Sequence, residues 1–128
     1  MPDALTAAIA LAENAPYNYH KKEEWKRAGK AVLRRLAKDL GLAQGTFDIR
    51  VCEGGMAVPG ECILHSDRLY ICLTASLVCD DAGYARRVAG RKDYHGERNI
   101  SIPKNYEGLL RIAQQLNDAS LPAHQVRA

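Results

Sequence analysis

Ten consecutive residues, Gly90 to Asn99, read G-R-K-D-Y-H-G-E-R-N and hold most of the side-chain types that chemistry requires. Arg91, Lys92 and Arg98, with Arg86 and Arg87 just upstream, gather cations around two glycines. Guanidinium groups fork onto phosphate or carboxylate oxygens, and glycine lets a backbone approach a ligand closely, so the segment suits an anion. Tyr94 and His95 add stacking surfaces of the kind used on single-stranded nucleic acid, and Asn99 completes this candidate ligand-binding set.

The same segment admits a second chemistry. Asp93, His95 and Glu97 are spaced two apart, so an extended chain would turn them to one side, where they can hold a divalent ion or tune a general-base histidine. A third, plainer reading is a solvated hairpin tip. His65 forms the other histidine–carboxylate pair, with Glu61 on the same strand face if no bulge intervenes, and structural hydrogen bonding is the commoner use of such a pair. His95, His65, Glu97 and Glu61 are therefore the candidate catalytic groups. No Walker loop, dinucleotide fingerprint, G-x-S-x-G elbow or H-E-x-x-H helix accompanies them, so no nucleophile or metal site can be named and no cofactor is implied. The chain leans away from an enzyme.

A second basic segment lies upstream. Between His20 and Leu40 stand Lys21, Lys22, Lys26, Arg27, Lys30, Arg34, Arg35 and Lys38 against Glu23, Glu24 and Asp39, which makes this stretch more basic than the net charge of +3 for the whole chain. Lys22, Lys26 and Lys30 recur every four residues and can track phosphates along one helix face, although a solvated amphipathic face gives the same row.

These groups need positioning. At 128 residues, with 47% hydrophobic and 26% charged residues, the chain fits a single domain able to bury one core, with residues 1–17 as an N-terminal helical arm and 118–128 as a loose C-terminal tail. "DALTAAIALAEN" favours a short helix but is too short to cross a bilayer, and no basic leader precedes it, so a cytoplasmic protein without a membrane partner is expected. Cys52, Cys62, Cys72 and Cys79 lack close C-x-x-C spacing and read as reduced apolar fillers.

From near Lys21, Trp25, Ala28, Val32, Leu33, Leu36 and Leu40 recur at helical steps, with Glu23 and Glu24 in the first turn, Lys38 in the last and Gly41 as C-terminal cap. The period then changes to two. "TFDIRVC" is a strand, "MAVPGECILH" a strand placed at an edge or bent by Pro59 and Gly60, and "RLYICLTASLVC" a third with Leu69, Ile71, Leu73, Ala75 and Leu77 on one face. "DDAG" turns into "YARRVAG", which sets Arg86 and Arg87 on opposite faces, and Asn105 caps a final helix from Tyr106 to Leu116. The expected fold is α+β: an antiparallel four-stranded meander with helices on one face, in the order α-α-β-β-β-β-α, its other face free.

In element order, residues 21–116 resemble a double-stranded-RNA-binding domain, but that family's lysine-rich start to the final helix is represented here by Lys104 alone. The segments "RRLAKDLGL", "GGMAVPGECILHSDRLYI" and "GRKDYHGERN" resemble small uncharacterised proteins of bacteriophages and plasmids of proteobacteria. The resemblance implies a mobile-element setting and no residue roles. Two binding functions follow as expectations: a non-enzymatic module engaging an anionic partner, nucleic acid first, or an inhibitor of a host defence complex, anti-CRISPR-like, that binds an acidic host protein. A small histidine-dependent enzyme is the third.

Overall fold

The computed structural model describes residues 5–8, 19–52, 61–74 and 81–119. Its elements run α1 (Tyr19–Asp39), β1 (Phe47–Cys52), β2 (Glu61–Ser66), β3 (Leu69–Thr74), β4 (Asp81–Arg87), β5 (Ile100–Pro103) and α2 (Tyr106–Ala119). Every neighbouring strand pair is antiparallel, and the sheet order β1-β2-β3-β4-β5 repeats the order in the chain.

The α+β class therefore stands, with a correction to five strands. "ISIP" pairs with β4 as a fifth strand, because the long basic loop returns the chain to the sheet. A second correction concerns the edge placement of β2, which lies inside the sheet between β1 and β3; it begins at Glu61, and the alternative, a bend at Pro59 and Gly60, falls outside the described residues. β4 also begins at Asp81, where a turn was expected. A bulge between Asp81 and Gly83 absorbs that irregularity, and at Gly83 (φ 142°) a Cβ would lie 2.0 Å from the Cys72 carbonyl oxygen, so only glycine fits.

α1 starts at Tyr19, a little earlier than its apolar pattern suggests, which moves Glu23 and Glu24 out of the first turn. Its end is as expected. Gly41 (φ 75°) donates to the Lys38 carbonyl and Leu42 to the Ala37 carbonyl, the paired bonds of a Schellman cap. α2 begins on Asn105, whose side-chain oxygen accepts the Gly108 N–H at 2.7 Å, and it runs past Leu116 to Ala119, shortening the expected tail.

Both helices pack on the sheet face formed by Leu64, Leu69, Ile71, Leu73 and Ile102, with Trp25, Leu33, Leu36 and Leu109 above them. Gly29 lets α1 approach closely: a Cβ there would sit 2.5 Å from the Cys62 sulfur. Arg35 stacks on the Tyr106 ring while the Tyr106 hydroxyl donates to Asp39, tying the helices together. Of residues 1–17, only 5–8 are described. Leu5 and Ala8 lie in this same core, and the Thr6 hydroxyl donates to the Lys104 carbonyl.

Candidate functional site

The strand alternation turns Ile63, His65, Tyr70, Cys72, Tyr84 and Arg86 away from the helices. This face was expected to be free. Instead, a second apolar cluster of Ile63, Tyr70, Cys72 and Val88 forms there, and the segment from Ala89 to Asn99 folds over part of it.

The loop's charged residues perform that folding. Arg86 is buried, with its guanidinium 4.1 Å from the Tyr70 ring centroid and over Tyr84 as well, while it donates to the Tyr94 carbonyl and to the Asn99 side chain. Tyr70 and Tyr84 are stacked, so the cation caps an aromatic pair. Arg87 points to the opposite face, as the alternation requires, and forms an ion pair with Glu97. Arg91 reaches β1, donating to the Gly45 carbonyl at 2.8 Å and to Asp48 at 2.9 Å. Asp93 accepts N–H groups from Ala89, His95 and Gly96, which bends the segment into a turn. These backbone donors, Ala89 foremost, hold its carboxyl below the usual carboxylate range.

Asp93, His95 and Glu97 consequently do not share a side. Their expected convergence is corrected by the turn, which engages Asp93 with its own backbone while Arg87 takes Glu97, and among the described residues no cluster of three metal-ligating side chains exists. His65 and Glu61 do lie on one strand face, in unbroken register. His65 is 1% exposed and packs edge-on against Tyr70 and Tyr94. Its Nε2 is buried without a hydrogen-bond partner. Cys62 and Cys72 are buried, and burial pushes both thiols up to about 12, as inert fillers require, whereas Cys52 is exposed.

Arg86, Arg87, Arg91 and Asn99 therefore hold the loop, and Tyr94 both covers His65 and remains half exposed. Lys92 and Arg98 are different. Both are exposed, with no hydrogen bond or ion pair to another described residue.

The second basic segment forms an open groove of about 390 Å³ on the helix side of the sheet, between α1 and the edge strand β1. Among the described residues, Lys26, Arg27, Lys30 and Arg34 line it together with Glu23 and Val51. Lys26 pairs with Glu23 at 2.9 Å, whereas Arg27, Lys30 and Arg34 have no ion-pair partner among the described residues. Lys26, Lys30 and Arg34 are each four residues apart, which advances the charge by about 6 Å per step along the helix axis. The side chain of Lys22 lies outside the described residues. Arg27 and Arg34 were absent from the expected site, although the four-residue period that selected Lys26 and Lys30 reaches Arg34.

The two basic segments thus act on opposite faces of the sheet. In the first, most of the arginines are engaged within the fold; in the second, Arg27, Lys30 and Arg34 have no ion-pair partner among the described residues. Among the described residues, no helix is long and apolar enough to cross a membrane. No protein-family model, curated protein or solved structure matches the chain.

Proposed function

We propose that the chain is a non-enzymatic, cytoplasmic binding module of a mobile element that engages nucleic acid through the groove between α1 and β1. The observation that carries this reading is the groove itself, in which, among the described residues, four cations meet one carboxylate and three of the cations have no ion-pair partner. A row of cations with that spacing suits successive phosphates, and each neutralised phosphate releases counter-ions, so affinity comes largely from charge. The contact is weakly sequence-specific, since the described lining is lysine and arginine with Val51 and Glu23 beside them, and such a surface grips backbones. Lys92 and Arg98 serve a long ligand as an accessory contact; the remaining arginines of the loop keep that contact in shape.

Fluorescence anisotropy with labelled single- and double-stranded DNA and RNA tests the reading. Binding that falls steeply with salt and is lost in Lys30→Ala/Arg34→Ala supports it. Absence of binding at low salt overturns it.

A protein-directed inhibitor is the second reading, favoured by one observation: Tyr94 and Ile100 are exposed large apolar residues near Lys92 and Arg98. An acidic host protein carrying an apolar anchor fits that surface, and its binding would show milder salt dependence with a hot spot at Tyr94.

A further inference from the structure

Among the described residues, nothing pairs with the outer edge of β1, the first strand of the sheet. Edge strands are ordinarily blunted by shortness, proline, bulges or repelling charge. β5, at the opposite edge, is four residues long and ends in Pro103. β1 has none of these devices. It is six residues long and pairs with β2 without a register shift. Its row facing the helices, Phe47, Ile49 and Val51, is only half buried, whereas the matching rows of β2 and β3 are fully covered. An apolar strip is left beside the open edge. On the other face Asp48 and Arg50 flank Ile49, exposed and opposite in sign.

We infer that this edge is the docking surface for β1 of a second copy of the chain, paired antiparallel about a two-fold axis at Ile49. In that register Ile49 meets Ile49 of the second copy, Phe47 meets Val51, and Asp48 meets Arg50 on both sides of the axis. The charges complement and the apolar strips join. Centring the pair on Asp48 or on Arg50 opposes like charges. Centring it between residues turns the two apolar rows to opposite faces. Centring it on Phe47 or Val51 leaves half of the strand unpaired, so one register is selected by five residues, Phe47–Val51, that supply both sides of the contact, which is why a copy of this chain is the occupant that fits. The Asp48–Arg91 contact does not preclude it, since the Asp48 side chain remains 49% exposed. Helices of both copies would share one side of the joined sheet, bringing the two basic grooves to the same surface. The pairing does not require those grooves to be occupied, although Val51 belongs both to the groove and to the joined strip.

Sedimentation equilibrium of the full chain, from micromolar to hundreds of micromolar, tests the inference. A reversible dimer is expected. Asp48→Lys and Arg50→Glu should each weaken it by about tenfold, because both symmetry-related pairs become repulsive. The Asp48→Lys/Arg50→Glu double exchange should recover it. Arg50→Glu leaves the Asp48–Arg91 contact in place, so it tests the edge even if Asp48→Lys loosens the loop, and Arg91→Ala should leave the dimer unchanged. A monomer throughout the range overturns the inference. So does a dimer indifferent to the single exchanges, one the double exchange fails to restore, or one that Arg91→Ala weakens as much as Asp48→Lys does.

Discussion

The phenol ring of Tyr94 stands edge-on to the imidazole of His65, with ring centroids 5.2 Å apart, and this contact seals the basic loop onto the sheet face away from the helices. A residue from the most polar segment of the chain thus closes over a histidine that is 1% exposed.

That seal makes the fold sensitive to acid. Burial lowers the pKa of His65, and Arg50 and Arg91 add to the effect, while the Gly90 backbone and the nearby Asp48 oppose it. Tyr70 and Tyr94 also face the ring, and Nε2 has no hydrogen-bond partner among the described residues. The folded state therefore favours neutral imidazole. As pH falls below about 6.5 the unfolded chain takes up a proton that the folded chain resists, so stability is complete above that value and declines below it. Denaturant melts between about pH 7.5 and 5 should show the decline. In His65→Phe the slope over this window should flatten; an unchanged slope would place the titrating group elsewhere.

Arg86 should be a stability residue. Arg86→Ala leaves the Tyr94 carbonyl and the Asn99 side chain without their donor and uncaps the Tyr70–Tyr84 pair, at a cost of about 2–4 kcal/mol. Arg86→Lys should recover only part of this, because an ammonium cannot fork to two acceptors while stacking. Thermal melts of the two variants check the order.

Close packing at Gly29 gives a paired test. Gly29→Ala gains helix propensity but pushes a methyl into the Cys62 sulfur, and a net loss of about 1–2 kcal/mol is expected. Cys62→Ala removes that sulfur, so Gly29→Ala should be much less harmful in its background. Additive effects in the double-mutant cycle would show that the helix moves aside instead.

Asp93 organises the loop through its own backbone. Asp93→Ala should accelerate hydrogen exchange at the amides of Ala89, His95 and Gly96, with the amides of β2 and β3 unaffected. Because its carboxyl is held low, the same amides should keep their protection until pH falls below the ordinary carboxylate range.

The helices and the first strands were legible because they rest on local rules. Trp25, Leu33 and Leu36 follow a helical period, Gly41 and Asn105 are capping residues with the expected bonds, and Phe47, Ile49 and Val51 alternate along β1. β5 was missed because "ISIP" is short, and only its pairing with β4 across the long loop makes it a strand. The roles of the loop's arginines were illegible for a related reason. Arg91 is matched by Asp48, separated from it by more than forty residues, and clustering in sequence cannot distinguish an arginine kept for a ligand from one kept for a distant carboxylate. The groove was half legible: the four-residue row was visible, but its open side depends on where β1 ends the sheet.

In the proposed function α1, and not the arginine-rich loop, supplies the main anionic contact. The most direct measurement compares the salt dependence of single-stranded nucleic acid binding in the unaltered chain, in Lys30→Ala/Arg34→Ala and in Lys92→Ala/Arg98→Ala. The predicted result is that the groove variant loses most of the affinity and about 1.5 of the logarithmic salt slope, while the loop variant keeps most of both. Affinity and slope lost from the loop variant, with the groove variant unaffected, would contradict it.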